Sequence, residues 1–535
     1  MSNFNSGSPL DIYWQYIHRS CPQLDMGLLS HFTDTVTDSS WESPESPLEC
    51  NNFAVLTLIE AEQCEDLSLR AVNLEIALRT LQQSFASSKN PLCAAHLALI
   101  YSKLGEMEQA TKIAFPAFLE TLHLAYQSSE TMPLGLVYFP SLSNNLTINH
   151  EANFRSILQA ENGYTQALSL LANVLCSSQL VFYNPNGLRY LQLAAQLLPN
   201  SAVINLQLGL SHLMNQRAEG LLYLQRASKL APDCGAIVQS LYLAYQQLQE
   251  QKIVDYWHKQ AFENHQKSPE SLEWQWVNVR ENSPFTYVPF DQNILLAVEA
   301  NLNSIVTSVL LAQGDWFETE MEFWRSQIQS GMTVIDVGAN VGVYTFSAAQ
   351  KVGSTGKVLA VEPFSGCVDC LEETCRVNQL SWVKVCAGAA SDRSGKTYLA
   401  LHSASELNEI VSDDVASLNS HQYEEINCFS LDSLVISEKL KQVDWIKIDA
   451  EGHEMQVLEG SENLIKQFQP GIIYENISGS KGSNQAVAEL LQTKGYQLFS
   501  YQPFTQKLIA INSLEDLYNN LNIIALPEGN SLENK

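Results

Sequence analysis

Basic residues are scarce in this sequence. Its 535 residues include 30 Lys and Arg against 58 Asp and Glu, which gives a formal net charge of -28. Nucleic acids and anionic membrane surfaces are bound through a basic protein face that neutralises phosphate groups. The composition therefore argues against nucleic acid as a partner and against an anionic membrane surface. The simplest interpretation of the acidity is solubility.

Long hydrophobic runs and secretion features are also missing. No stretch reaches the roughly 18 consecutive apolar residues of a membrane-spanning helix, so no membrane span is predicted. The first residues, MSNFNSGSPLDIYWQ, lack the basic segment and apolar core of a secretory signal. The 11 cysteines are an odd number, which predicts free thiols in a reducing compartment and hence a cytoplasmic protein.

One group of cysteines could be functional. Cys367 and Cys370 have the spacing of a metal-binding or redox pair, and Cys375 follows them. No second pair lies at the distance that a zinc site of this kind requires. Ordinary buried thiols are therefore the favoured interpretation.

The N-terminal half has the pattern of an all-α helical domain. Residues 1–48 are rich in Ser, Pro, Asp and Thr, which predicts a partly disordered tail. Residues 49–267 then have apolar residues at helical spacing. The stretch Leu92–Ala114 predicts two helices joined by a turn at residues 103–106 and packed at Ala110.

A repeat supports this prediction. Six residues recur 33 positions later: Gly187, Tyr190, Leu191, Ala194, Leu197 and Pro199 return as Gly220, Tyr223, Leu224, Ala227, Leu230 and Pro232. This period indicates stacked helix pairs, and the region resembles degenerate tetratricopeptide repeats, interrupted at residues 132–149. Arrays of this kind bind a peptide or protein partner in a concave groove. A role as a scaffold or dimerisation element is equally open.

The C-terminal half predicts a different architecture. Prolines at 269, 284 and 289 indicate a linker at residues 268–289. Residues 290–515 form the next predicted domain, which opens with a helical pattern at residues 291–313, and residues 516–535 are predicted as a tail. Within the domain, five predicted strands alternate with helices, and a hairpin follows at residues 496–501 and 507–511. The predicted strands are Thr333–Val337, Lys357–Val361, Val383–Ala387, Asp444–Ile448 and Gly471–Tyr474. The alternation predicts a Rossmann-like, doubly wound α/β sheet.

The first of these strands runs directly into a glycine loop. Asp336 precedes Gly338-Ala339-Asn340-Val341-Gly342, after which a helical pattern begins. Such a loop brings backbone N–H groups and a helix N-terminus close to a ligand. An acid before the loop suits a ligand that carries an ammonium group, such as S-adenosylmethionine.

Acidic residues also follow the later strands, at the edge of the sheet where ligands bind in open parallel sheets. They are Asp336, Glu362, Asp392, Asp449 and Glu475. Glu362 lies 20 residues after Gly342, the spacing at which a carboxylate can accept both ribose hydroxyls. We expect the ammonium group to lie near Asp336, the ribose at Glu362 and the adenine near Asp392. This arrangement of acids fits S-adenosylmethionine.

Residues 285–512 resemble an FkbM-type methyltransferase of the class I, S-adenosylmethionine-dependent superfamily. The matching motifs are Asp336–Thr345, Val361-Glu362-Pro363, Ala390–Gly395, Leu431–Leu434, Lys447–Glu454 and Leu458–Gly460. The resemblance implies cofactor contacts from Asp336, Gly338, Asn340, Gly342, Glu362 and Asp392. It also implies an acceptor hydroxyl on a sugar, a glycan or a natural product.

Methyl transfer to a neutral hydroxyl needs a group that removes its proton. Asp449, Glu451 and His453 follow the fourth strand, and His453 is the first candidate for the base because its ordinary pKa lies near neutrality. In the alternative interpretation, His453 and Glu454 only order this loop. Asp449, Glu451 and Glu475 together could hold Mg²⁺, although no ligand spacing demands a metal and no residue is assigned as a metal ligand.

Two other functions share part of this pattern. A nicotinamide-dependent enzyme shares the strand, loop and distant acid, but the pattern here is Gly-x-Asn-x-Gly and leaves Asp336 without a role. A repeat-based adaptor with an inactive methyltransferase domain is disfavoured because the motif residues are intact. Residues 402–421 and 315–323 are expected to border the acceptor pocket.

Overall fold

The computed structural model describes residues 9–21, 44–127, 131–140, 154–155, 157–178, 185–197, 199–279, 283–291, 293–402, 405, 408–411, 422–476, 484–518 and 520–529. The chain divides into two compact units. Residues 1–237 and 503–506 form the first unit, and residues 238–502 and 507–535 form the second. The boundaries of the predicted domains remain a prediction.

The first unit is built from helices in its described part. They are α1 (Pro9–Ser20), α2 (Pro47–Gln63), α3 (Leu67–Ser88), α4 (Pro91–Lys103), α5 (Met107–Gln127), α6 (Gly163–Ser178), α7 (Pro185–Leu197), α8 (Ala202–Met214) and α9 (Gly220–Leu230). α10 (Gly235–Gln247) crosses the boundary, and α11 (Gln251–Lys267) belongs to the second unit. The two helices predicted around residues 103–106 are confirmed as α4 and α5, and Ala110 is fully buried.

Local sequence explains how these helices begin. Ser46 accepts a hydrogen bond from the Glu49 N–H, while the Glu49 carboxylate accepts one from the Ser46 N–H, and Pro47 occupies the first helical turn of α2. Asp66 and Asn90 cap α3 and α4 in the same way, by accepting N–H bonds from the first turn. These caps satisfy N–H groups that have no partner inside the helix.

Two features of the first unit differ from the predicted structure, which was a partly disordered tail followed by helical repeats. Pro9–Ser20, within the predicted tail, is helix α1, whose Tyr13 and Tyr16 are buried in the core. Residues 131–140, nearly all within the predicted interruption, have no regular secondary structure and are buried from Gly135 to Pro140. The rest of the tail and of the interruption lies mostly outside the described residues.

The second unit contains strands β1 (Phe285–Phe290), β2 (Ile294–Glu299), β3 (Thr333–Val337), β4 (Lys357–Glu362), β5 (Val383–Ala387), β6 (Ala389–Ala390), β7 (Gly395–Leu401), β8 (Glu409–Val411), β9 (Gln422–Phe429), β10 (Trp445–Ile448), β11 (Gly471–Glu475), β12 (Tyr496–Gln502), β13 (Lys507–Ala510) and β14 (Asn522–Pro527). Its remaining helices are α12 (Ile305–Gln313), α13 (Glu320–Gln327), α14 (Val343–Val352), α15 (Ser365–Val377), α16 (Leu431–Ser437), α17 (Glu454–Glu459), α18 (Glu462–Phe468), α19 (Gln485–Thr493) and α20 (Leu514–Leu517). Short 3₁₀ helices lie at Leu272–Asn278 and Gly353–Thr355.

The main sheet confirms the predicted Rossmann-like, doubly wound architecture. Its strand order is β13-β12-β14-β11-β10-β3-β4-β5. Strands β11, β10, β3, β4 and β5 are parallel, and β14 enters antiparallel between β11 and β12. The carboxyl ends of the five parallel strands therefore meet at one edge of the sheet, where ligands bind in such folds. A second sheet has the order β6-β9-β7-β8.

Three predicted elements of the second unit were wrong. Residues 294–299 form strand β2 rather than helix, because a short apolar run such as Ile294–Val298 is compatible with either structure. Residues 522–527, predicted as tail, form β14, since their apolar side chains are buried between two strands. The helix predicted over 455–468 is split near Gly460, where a Cβ would lie 2.0 Å from the Ser391 carbonyl oxygen.

No helix among the described residues is long and apolar enough to cross a membrane.

Candidate active site

The glycine loop is held tightly against the neighbouring strands. Gly338 has φ +72°, and a Cβ at this position would lie 1.7 Å from the Asp449 carbonyl oxygen. Gly342 has φ +99°, and its Cβ would lie 2.4 Å from the Phe346 ring. Asn340 also adopts a positive φ of 49°. The two glycines are therefore required both by backbone conformation and by close packing.

Glu362 ties the end of β4 to this loop. One carboxylate oxygen accepts the Asn340 N–H at 2.8 Å, and the other accepts the Phe364 N–H at 2.8 Å. Glu362 is only 6% exposed, and burial raises its pKa to about 7 despite these two bonds. Glu362 therefore binds the glycine loop directly, a contact that its predicted role at the ribose did not include.

Asp336 lies beneath the loop. Its carboxylate is 1% exposed and accepts a hydrogen bond from the Thr345 hydroxyl at 2.5 Å. Burial raises its pKa to about 6, while Thr345 and Lys447 act in the opposite direction. In this structure Asp336 therefore joins β3 to helix α14.

Three further carboxylates converge beyond β10 and β11. Oxygen atoms of Asp449, Glu451 and Glu475 lie within 4.8 Å of one another. Burial, followed by the charge of Asp449, raises the pKa of Glu451 to about 8 and that of Glu475 further. Two of these acids are therefore held protonated near neutrality. The Glu475 Oε2 atom is buried and has no hydrogen-bond partner among the described residues.

Lys447 is a buried cation of this site, and no role was predicted for it. It is 1% exposed on β10, and its Nζ atom donates to Asp449 Oδ2 at 3.1 Å and to Asn522 Oδ1 at 3.0 Å. Burial lowers the pKa of Lys447, but the acids Asp449 and Glu318 outweigh burial and raise it. A single lysine within the buried strand Trp445–Ile448 was the available signal, because an unpaired charge is rarely buried.

The same lysine borders a second hydrogen-bonded group. Glu318 Oε2 accepts from the Tyr344 hydroxyl at 2.6 Å and from Asn522 Nδ2 at 2.8 Å. Lys447 Nζ lies 5.0 Å from the centre of the Tyr344 ring. Glu318 lies in the segment 315–323 that was expected near the acceptor, whereas Asn522 on β14 was not foreseen.

His453 lies at the end of the loop after β10 and contacts Ser391. Its Nε2 atom lies 3.0 Å from Ser391 Oγ, and the Ser391 hydroxyl donates to Asp392 Oδ1 at 3.0 Å. With the serine proton directed to Asp392, Nε2 of His453 donates to Ser391 and Nδ1 carries the free lone pair. Burial lowers the pKa of His453, which keeps the ring neutral.

Glu454 orders the loop between β10 and α17. It is fully buried, and Oε1 accepts the N–H groups of Ala450 and Gly452 at 3.0 and 3.1 Å. Its other oxygen accepts from Asn484 Nδ2 at 2.9 Å. His453, by contrast, makes no side-chain capping bond to α17. The loop-ordering role that was weighed for both residues therefore describes Glu454.

The predicted site residues fall into two groups. The loop glycines, Asp336 and Glu362 meet at the ends of β3 and β4, and Asp449, Glu451 and Glu475 cluster beside them. Asp392 and His453, for which separate roles were predicted, meet at Ser391. Of the expected acceptor-side segment 402–421, most lies outside the described residues.

The cysteine group shows no metal site. Cys367 and Cys370 are buried free thiols, and burial raises the pKa of both above the ordinary range. No group of metal-ligating side chains found among the described residues includes them. Buried thiols of this kind pack as small apolar groups.

Comparison with known proteins adds the family. Residues 336–498 match the family model described as the methyltransferase FkbM domain, and the match spans the loop, the acids and His453. The second unit carries an FkbM methyltransferase domain. The family match supports methyl transfer from S-adenosylmethionine as the chemistry of this domain.

Named relatives are more distant. Over 186 residues this chain is 25% identical to Methyltransferase 1 of Beauveria bassiana (strain ARSEF 2860), and the match covers 32% of this chain and 74% of that protein. The FkbM methyltransferase structure from Methylobacillus flagellatus is 14% identical, with a TM-score of 0.25, and the match covers 42% of this chain and 54% of that one. An O-methyltransferase from Bacillus cereus in complex with SAH is 16% identical, with a TM-score of 0.23, and covers 40% and 84%. The chain thus spans about half the length of the first of these two structures.

Proposed function

We propose that this FkbM domain methylates a hydroxyl group on a sugar, a glycan or a natural product. The observation that carries the proposal is the His453–Ser391–Asp392 chain, whose His453 lies in the same loop after β10 as Asp449 and Glu451. It provides a neutral imidazole with a fixed orientation and a free lone pair. A base of this kind is what a neutral hydroxyl acceptor requires, and it typically contributes about 10²–10⁴-fold to the rate.

For the cofactor, we propose contacts from Asp336, Gly338, Asn340, Gly342, Glu362 and Asp392. When bound, S-adenosylmethionine supplies an activated methyl group. The residues present are compatible with this cofactor. Glu362 offers a buried carboxyl group at the loop. Gly338 and Gly342 have no side chain, so the loop backbone packs closely against the neighbouring residues. Asp336 supports the loop from below and contributes negative charge near the ammonium.

For the acceptor, we propose that His453 takes the hydroxyl proton and that Asp449 and Glu451 orient the acceptor. Lys447 holds Asp449 in place and balances its charge. Glu451, whose raised pKa keeps its carboxyl group protonated at neutrality, can donate a hydrogen bond to an acceptor oxygen.

Mg²⁺ at Asp449, Glu451 and Glu475 is a second form of the same proposal. The three side chains are oxygen ligands of the type that Mg²⁺ prefers, and Glu475 Oε2 is a buried atom without a hydrogen-bond partner among the described residues. Against it, Lys447 already neutralises Asp449. Turnover that falls on chelation and returns with Mg²⁺ would support the metal, and turnover unchanged by chelation would exclude it.

The test is transfer of a labelled methyl group to a panel of extracted glycans and hydroxyl-bearing metabolites, with mass spectrometry of the product. We expect a labelled methyl ether, about 10²–10⁴-fold slower formation with His453→Ala, and unchanged affinity for S-adenosylmethionine. Lys396→Ala, at an exposed ion pair, is the matched control. Full turnover by His453→Ala would remove the base. Binding of cofactor without transfer to any acceptor would favour an adaptor with an inactive domain.

For the helical repeats, we propose partner binding or scaffolding of the enzyme domain, and for the protein a cytoplasmic location. Neither depends on the chemistry of the methyl transfer. Co-purification of partners with the full chain and with the His453→Ala variant tests the first, because the active-site change leaves the repeats intact.

A further inference from the structure

The segment 131–140 is bound through its backbone by helix side chains. The N–H groups of five consecutive residues each donate to a side chain. The acceptors are Gln166 Oε1 for Gly135 at 3.0 Å, Asn52 Oδ1 for Leu136 at 2.8 Å, the Tyr13 hydroxyl for Val137 at 3.0 Å, His96 Nε2 for Tyr138 at 3.0 Å and the Tyr16 hydroxyl for Phe139 at 2.9 Å.

Three carbonyl groups of the segment also accept hydrogen bonds from helix side chains, two of which bind its N–H groups as well. Asn51 Nδ2 donates to the Leu136 carbonyl at 3.0 Å, and Gln166 Nε2 donates to the Gly135 carbonyl at 3.3 Å. The Tyr13 hydroxyl, which accepts the Val137 N–H, also donates to the Val137 carbonyl at 3.3 Å. Buried backbone groups are normally satisfied within helices or sheets, whereas here they are satisfied as in peptide recognition.

The His96 ring is oriented by residues of α2 and α4. His96 Nδ1 lies 2.8 Å from Asn51 Oδ1 and 3.0 Å from the Leu92 carbonyl. These acceptors hold the ring proton on Nδ1, which leaves Nε2 free to accept the Tyr138 N–H. Burial lowers the pKa of His96 to about 4, so the ring stays neutral.

Sequence preference comes from packing. A Cβ at Gly135 would lie 2.9 Å from Leu92 Cδ1 and 3.0 Å from Asn51 Nδ2, so any larger residue there requires these side chains to shift. Leu136 and Val137 are fully buried, and the Tyr138 ring stacks on Tyr16 with centroids 5.9 Å apart. Pro133, by contrast, is exposed.

We propose that α1, α2, α4 and α6 form a groove that binds an extended apolar peptide with a central glycine, and that residues 131–140 occupy this groove in cis. The ligand is selected by its backbone hydrogen bonds, by glycine at the Gly135 position and by an aromatic residue at the Tyr138 position. A peptide with these features binds in trans when the chain's own segment is removed. The proposal is independent of the methyl transfer reaction.

The test uses the full chain with residues 133–139 replaced by a Gly-Ser sequence of the same length. A fluorescent peptide with the sequence TMPLGLVYFP is titrated, and its anisotropy is measured. We expect binding to the replaced chain and at least about ten-fold weaker binding to the intact chain, since the tethered segment competes at high effective concentration. Absence of binding to a replaced chain with native helical circular dichroism, or equal binding to both chains, would overturn the proposal.

Peptide variants test how the groove recognises its ligand. Gly135→Ala and N-methylation at Tyr138 should each weaken binding about ten-fold or more, because one creates a clash and the other removes the N–H that His96 accepts. Pro133→Ala is the matched control and should bind as the parent peptide does. Equal affinity of all four peptides would show that the groove reads neither the backbone nor the glycine.

Hydrogen exchange of the intact chain decides the case if the replaced chain does not fold. We expect the amides of residues 135–139 to exchange at least about ten-fold faster than those of α4, through an opening that low denaturant does not accelerate. Exchange of the segment only together with the helices would make it a fixed part of the core and would refute the proposal.

Discussion

Gly338→Ala is the substitution for which the structure predicts the largest effect on cofactor binding. The added Cβ would lie 1.7 Å from the Asp449 carbonyl oxygen, and contacts of this kind below 3.0 Å are essentially never observed. The loop or the end of β10 must therefore move by at least 3.0 − 1.7 = 1.3 Å.

Three backbone hydrogen bonds hold these two segments in place. The N–H groups of Gly338 and Ala339 donate to the Val361 carbonyl at 2.9 and 3.1 Å, and the Asp449 N–H donates to the Val337 carbonyl at 3.0 Å. Each buried bond left unmade costs about 1–3 kcal/mol, so losing two costs about 2–6 kcal/mol. If about half of this cost weakens the binding free energy of S-adenosylmethionine, the affinity for the cofactor drops roughly ten- to hundred-fold.

Gly495→Ala is the matched control. Gly495 has φ +81°, close to the +72° of Gly338, but no atom lies within 4 Å of its added Cβ. Both substitutions bear the cost of about 1–2 kcal/mol for a side chain in the left-handed region, and only Gly338→Ala adds the clash. Calorimetric titration with the cofactor and thermal unfolding measure the two effects. Equal affinity and equal stability of the two variants would refute this reasoning.

Three further predictions concern buried charges. Lys447→Met should destabilise the second unit by about 3–5 kcal/mol in denaturant unfolding, because it leaves Asp449 unpaired, whereas Lys396→Ala at an exposed pair should leave the stability nearly unchanged. Burial raises the pKa of Glu362 to about 7, so between about pH 4.5 and 7 this residue is protonated in the folded protein but ionised in the unfolded chain. Its contribution to the free energy of unfolding should therefore fall by about 3 kcal/mol as the pH rises through this window. In Glu362→Gln this pH dependence of stability should vanish. His96 should have the opposite effect, because burial lowers its pKa to about 4. The stability of the first unit should fall by about 3 kcal/mol as the pH falls from 6.5 to 4. Hydrogen exchange of α4 measures this loss of stability, which should be absent in His96→Gln.

Local patterns predicted the nucleotide-binding half well. Thr333–Val337 and Val383–Ala387 are strands with the predicted bounds, because each is a short apolar run between turn residues. The acids after the strands were expected at one edge, since the carboxyl ends of parallel strands share that edge. Glu362 contacts the loop through the Asn340 N–H, whereas its role at the ribose stays a prediction. Prediction failed for β14, which pairs with the distant strands β11 and β12, and for β2, whose short apolar run is compatible with helix or strand.

The finer arrangement of the site depends on contacts that have no local pattern. Ser391 joins His453 to Asp392 across 62 residues, and Lys447 reaches Asn522 across 75 residues. The buried segment 131–140 is likewise stabilised by side chains up to 124 residues away, such as Tyr13. Such pairs are set by the packing of whole elements and not by the spacing of neighbours.

By itself, the sequence determined the fold class, the glycine loop and the set of acids, because strand periodicity, glycine conformation and burial of apolar runs act over a few residues. Only the tertiary structure decided which acids cluster, which are held protonated and which base is neutral. Those properties depend on desolvation and on nearby charges, and both arise only when distant segments pack together.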